Sequence, residues 1–174
     1  MNSEPVPQTF YGILELAASQ HPDKETFKRR MPDGRIRGKT YRQLKDLCDQ
    51  VVAGLLESGL KFGDKVLYLC DTSSYWLVTD AAITAVGAVS VPRGTDVTDE
   101  DISYIANHSE ASVAIVQKKK DMERLKGMAA RIPTVKTIFY MEADNMELDS
   151  GPHTISAVAE KGRAALSRDS GIVH

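Results

Sequence analysis

Cysteine is scarce in this chain: Cys48 and Cys70 are the two in 174 residues. Each sits inside an apolar pattern, and the two do not share a short metal-type spacing. Two buried free thiols are therefore expected, the state that a reducing cytoplasm maintains. Charge of one sign is lacking as well. The net charge is −2, so there is no overall basic footprint for nucleic acid. The like-charged run that stands out is Lys118–Lys120, opposite in sign to the acidic stretch Glu142–Asp149. A run long enough to span a bilayer is missing: the longest apolar stretch, Ala81–Pro92, is short and broken by Thr84 and Gly87. The opening MNSEPVPQTF has neither the basic nor the apolar region of a secretory signal.

What is present suits a folded α/β protein. The chain is 42% hydrophobic and 26% charged with the signs mixed, enough to bury a core. Its length fits one domain or a piece of a larger one. Residues 9–19 read as a short amphipathic helix with Phe10, Ile13, Leu14 and Ala17 on one face. ETFKRRMPDGRIRGKTY then turns at Pro32–Arg35 as a hairpin. Thr40 and Gln43 make a capping box for a helix whose apolar face runs Leu44, Leu47, Cys48, Val51, Val52, Leu55 and Leu56. From there helices alternate with short apolar runs: strands at Val66–Cys70, Ser90–Pro92, Ala111–Val116 and Val135–Tyr140, and helices at residues 74–87, from Thr98 to about His108, at Asp121–Ile132 and from about Thr154 to Leu166. That order implies βαβ crossovers and a mostly parallel sheet flanked by helices on both faces. Residues 1–40 are expected to form an N-terminal helix and hairpin, and residues 41–174 an α/β subdomain.

The chemistry-bearing motifs are mostly missing. There is no G-x-x-x-x-G-K-[ST], no G-x-G-x-x-G, no H-E-x-x-H and no G-x-S-x-G. The four histidines, His21, His108, His153 and His174, fall at element ends or in loops. No catalytic residue, no cofactor-binding residue and no metal site is assigned. Four residues stand out as contacts with a substrate or a neighbouring domain. Arg93 and Gly94, in VPRGTD, follow a strand at the carboxyl side of a parallel sheet, where ligands gather. Asp80 lies in an otherwise apolar helix, so its carboxylate either faces a pocket or is satisfied by a neighbouring backbone or hydroxyl group. Trp76 either lines a pocket or packs in the core. DTSSY, residues 71–75, is the one contender for a phosphate loop at a helix N-terminus.

The run from TYRQL through GDKVLYLC, YWLVTDAAITAVGAVSVP, TDEDISYI and HSEASVAIV resembles the amino-terminal part of the AMP-forming acyl-CoA synthetases, over roughly residues 9–140. VPRGTD looks most like the long-chain fatty acid–CoA ligase branch. The resemblance implies a parent enzyme that makes an acyl-adenylate from a fatty acid and ATP with Mg2+, then passes the acyl group to coenzyme A. It implies a cytoplasmic location, with peripheral membrane contact and a dimer as further expectations for that parent. The family's phosphate loop of the type YTSGTTGxPKG, its aromatic-Gly-x-Thr-Glu stretch, its ribose-binding Asp and its catalytic Lys have no counterpart here; SRDSGIVH is the nearest approach to the first. The chain is thus expected to be an N-terminal fragment, inactive alone and completed by the remainder of the synthetase. The alternatives are a stand-alone binding or regulatory module of the same fold and an unrelated flavodoxin-like nucleotide binder.

Overall fold

A computed structural model describes residues 7–30, 33–141 and 153–173. Pro32, His174 and the acidic stretch Glu142–Asp149 lie outside the described residues. Helix α1 (Phe10–Gln20) starts at Thr9, whose hydroxyl accepts from Gly12 N–H. Strands β1 (Glu25–Arg30) and β2 (Ile36–Thr40) pair antiparallel as the expected hairpin. Helix α2 (Tyr41–Glu57) opens with the Thr40–Gln43 capping box. Tyr11 donates to Asp49 at 2.7 Å, and Lys45 bonds the same carboxylate at 2.9 Å, which fastens α1 to α2.

The main sheet holds β3 (Lys65–Leu69), β4 (Val89–Arg93), β5 (Val113–Val116) and β6 (Thr137–Tyr140), all parallel, in the order β4-β3-β5-β6. The crossovers are α3 (Ser74–Ala85), α4 (Asp99–Ser109) and α5 (Lys119–Gly127), and α6 (Ile155–Arg168) follows β6. Alternate residues of the strands feed two separate cores. Val66, Tyr68, Cys70, Ile115 and Phe139 pack with α1, α2, α3 and α6. Leu67, Leu69, Ala114, Val116 and Tyr140 pack with α4 and α5. Strands buried on both faces are what near-continuous apolar runs require.

Element boundaries moved by up to five residues from the sequence reading. The largest change is α5, expected at Asp121–Ile132. It begins earlier because Asp121 accepts from Lys118 N–H in a cap, and it ends at Gly127 ahead of a series of turns. Thr98 and Asp101 form a second capping box, and the Thr98 hydroxyl, donating to the Asp101 carboxylate, holds that carboxyl below the usual range.

Two local features set the edge of the sheet and the packing of the helices on one of its faces. Pro92 sits where its missing N–H costs nothing. Val89 N–H bonds Asp64 and Cys70 N–H bonds the Arg93 carbonyl, so alternate residues of β4 face β3 while Pro92 faces the free edge. Helices α2 and α6 cross in backbone contact: a Cβ on Gly162 would lie 1.8 Å from the Gln50 carbonyl oxygen, and one on Gly54 would lie 1.9 Å from that of Val158.

Candidate functional site

The strand order reverses at β3. The chain leaves β3 for β4 on one side, then crosses back to β5 on the other. In open α/β sheets the loops at the carboxyl ends of strands around such a point frame the ligand crevice. Here they enclose a cleft of about 430 Å³ lined by Cys70, Asp71, Thr72, Trp76, Pro92, Arg93 and Gly94. Three of the four residues singled out in the sequence, Trp76, Arg93 and Gly94, thus line one cleft.

Asp71 ties the cleft together. Its carboxylate accepts from Thr95 N–H at 3.0 Å and from the Thr95 hydroxyl at 2.8 Å. Its own N–H donates to Gln117 Oε1 at 2.7 Å. One residue therefore links the loops after β3, β4 and β5. Sequence reasoning missed this role, because Thr95 and Gln117 lie 24 and 46 residues away. Asp71→Ala is expected to lower stability by about 1 kcal/mol, since a charge-assisted pair at the surface is lost. It should also speed hydrogen exchange at Thr95 N–H while core amides keep their protection. Unchanged exchange at Thr95 would rule out this clasp.

Trp76 stacks on Tyr68 with ring centroids 5.8 Å apart and planes at 13°. The fully buried Tyr68 hydroxyl donates to the Trp76 carbonyl at 3.0 Å. Burial pushes the Tyr68 phenol well above its ordinary value, so it remains a donor. Trp76 is therefore part core and part cleft wall. Among the described residues Arg93 makes no ion pair, and its side chain is exposed at the mouth. Gly94 leaves room beside the carboxylates: a Cβ there would stand 3.0 Å from Asp96 Oδ1 and 3.7 Å from Asp71 Oδ1.

The remaining candidates lie elsewhere or are engaged. Asp80 is not among the lining residues of this cleft. Its Oδ1 is buried with no hydrogen-bond partner among the described residues. The Thr84 hydroxyl bonds the backbone carbonyl of Asp80, not its carboxylate. In DTSSY the Ser73 hydroxyl accepts from Trp76 N–H as the cap of α3. Lys118 is the cap residue of α5, and Lys119 and Lys120 are exposed in its first turn. Cys48 and Cys70 are both free and buried. Burial pushes the Cys48 thiol up to about 12 and raises that of Cys70 as well, which keeps both in the thiol form. No group of metal-ligating side chains occurs among the described residues, and no helix among them is long and apolar enough to cross a membrane.

A parallel sheet with helices on both faces and a cleft at the carboxyl ends of its strands is the architecture of a ligand-binding α/β subdomain. The chain belongs to the AMP-binding enzyme family, whose profile matches residues 14–168. It is 32% identical over 142 residues to the protein named "Probable acyl-activating enzyme 16, chloroplastic" of Arabidopsis thaliana, covering 76% of this chain and 20% of that protein. It is 25% identical over 141 residues to the long-chain-fatty-acid–CoA ligase FadD15 of Mycobacterium tuberculosis, covering 81% and 22%. The fold matches the crystal structure of a long-chain-fatty-acid-CoA ligase (FadD1) from Archaeoglobus fulgidus with a TM-score of 0.73 at 18% identity, covering 92% of this chain and 31% of that one. The chain spans about a fifth of the length of the curated relatives that it matches.

Proposed function

We propose that this chain is the amino-terminal part of an AMP-forming acyl-CoA synthetase that activates long-chain fatty acids. The observation that carries the reading is the family match, which runs through nearly the whole α/β layer from residue 14 to residue 168. The named relatives point to acyl activation, and two of the three to long-chain fatty acids. In this reading the parent uses ATP, Mg2+ and coenzyme A, and the chain contributes a wall of the site and no catalytic group. Acyl-adenylate formation needs positioned donors and cations around the transferring phosphate. The sequence carries no Gly- and hydroxyl-rich phosphate loop, and in this reading adenylation waits on the rest of the parent.

Arg93 is the contribution of this wall to binding. A guanidinium without a salt bridge among the described residues, in one cleft with an indole and a hydroxyl-bearing loop, suits the anionic part of a substrate or coenzyme whose apolar part lies along Trp76. The test is pyrophosphate release by the parent enzyme with ATP and a long-chain fatty acid. Release is expected with the parent and absent with the 174-residue chain. In the parent, Arg93→Ala is expected to raise the KM of the anionic ligand about tenfold, the loss of one charge-assisted hydrogen bond. Release that does not depend on fatty acid would refute the substrate class. Unaltered kinetics in Arg93→Ala would remove Arg93 from the site while leaving the class standing.

A further inference from the structure

We propose that a cavity between α2, α3 and α6 is a binding site for a small carboxylate whose apolar body is about the size of a benzene ring. The cavity measures about 180 Å³. Leu47 and Val51 on α2, Tyr75 and Val78 on α3, and Ile155 and Ala159 on α6 line it. Within each pair the residues stand three or four apart, so each helix turns one apolar face to the cavity. Such walls gain from an apolar guest and not from water. An apolar cavity of about 150 Å³ takes up benzene, so a body of that size fills this one.

The charge at the cavity selects the polar end of the guest. Lys39, the residue before the Thr40 cap, is half-buried in the lining and makes no ion pair among the described residues. A lysine lays its apolar stem along an apolar guest and brings its ammonium to the polar end. Glu160 is the carboxylate of the lining, and Arg163, which is not part of the lining, already pairs with it. The uncompensated charge is therefore positive, and a carboxylate completes it. Gln50, half-buried in the same lining, adds an amide donor.

Thr79 is the fully buried polar residue of the lining, at 1% exposed, and its hydroxyl donates to Met141 Sδ at 3.5 Å. With that hydroxyl engaged, the buried part of the cavity makes no demand for water. The cavity is also separate from the cleft of Trp76 and Arg93: among the described residues none lines both. A long acyl chain exceeds the space available, so the guest differs from the fatty acid assigned to the reaction above. This inference is independent of that reaction.

The test is NMR of the full chain, labelled at methyl and amide groups and titrated with sodium hexanoate. Hexanoate is expected to shift the methyl signals of Val51, Val78 and Ile155. It should bind about 15-fold more tightly than butanoate, the effect of two further buried methylenes. Decanoate should add less than about tenfold, because the cavity is then full, whereas four more buried methylenes would add about 200-fold. Hexylamine has the same tail and the opposite charge, and should leave the signals unmoved. Lys39→Gln should weaken hexanoate binding about tenfold, while Lys120→Gln on α5 should leave it as it is. Ser156→Leu, which narrows the cavity from a half-buried position, should abolish binding. Thermal melts check that Lys39→Gln and Ser156→Leu keep the fold. No shift with millimolar hexanoate, equal binding of hexylamine, or shifts confined to the Arg93 and Gly94 amides would overturn the proposal. So would an affinity that keeps climbing to decanoate, or unaltered binding in Lys39→Gln.

Discussion

Gly162→Ala is expected to destabilise the chain by about 3 kcal/mol or more, beyond the ordinary cost of an overpacked methyl because the obstacle is backbone. In a protein of this size that corresponds to a fall in melting temperature of about 6–12 °C. The added Cβ would lie 1.8 Å from the Gln50 carbonyl oxygen and 2.5 Å from Gly54 N. Neither atom can turn aside, since both belong to the rigid backbone of α2. The two helices must separate, and the apolar residues that α6 buries against α2, Ile155, Val158 and Ala159, lose their packing. Gly54→Ala should behave alike. Gly127→Ala is the control: it also replaces a helical glycine, but nothing lies within 4 Å of the new methyl, so its effect should stay within about 0.5 kcal/mol. Equal melting temperatures for Gly162→Ala and Gly127→Ala would show that the helices do not cross at these glycines.

Tyr68→Ala is the second large effect, with an expected loss of about 3–5 kcal/mol from the cavity left by a fully buried aromatic ring. Tyr68 is 0% exposed and forms the floor beneath Trp76. Trp76 is the only tryptophan, so its fluorescence reports on the cleft wall without interference. Removal of the ring beneath it should move its emission to the red as water reaches the indole. Tyr68→Phe keeps the stack and loses the bond to the Trp76 carbonyl, at a cost of about 1 kcal/mol; its emission should match the parent sequence. A red shift of the same size in both variants would mean that the hydroxyl, not the stacked ring, holds Trp76 in place.

These two sites mark what the sequence reveals and what it hides. Secondary structure was legible because its causes are local. Thr40 and Gln43, or Thr98 and Asp101, stand three residues apart and cap the helices that follow. Apolar runs such as Val66–Leu69 announced strands buried on both faces. Strand ends were less legible, because a strand fades where its backbone turns to another partner: Ser112 still bonds Lys65 and Lys136 on either side, but the Ala111 N–H turns back to the Ala106 carbonyl of α4. The glycine crossing was invisible. Gly54 and Gly162 each read as a weak point in a helix, and only their contact explains both.

The cleft was half legible. Arg93 and Gly94 could be singled out because a strand followed by Pro and Gly turns at the ligand side of a sheet. Asp71 could not, since its value lies in meeting Thr95 and Gln117 in space. Asp80 drew notice as a charge among apolar residues, and the fold keeps it out of the cleft that gathers Trp76, Arg93 and Gly94.

The most direct test of the account is the mass of the native protein in its source cells, read on a denaturing gel with an antibody raised against this chain. A band several times heavier than 19.1 kDa is the predicted result, since a chain without a phosphate loop needs the rest of a synthetase to act. A band at the mass of the chain itself would contradict the account and make the fold a stand-alone binding module.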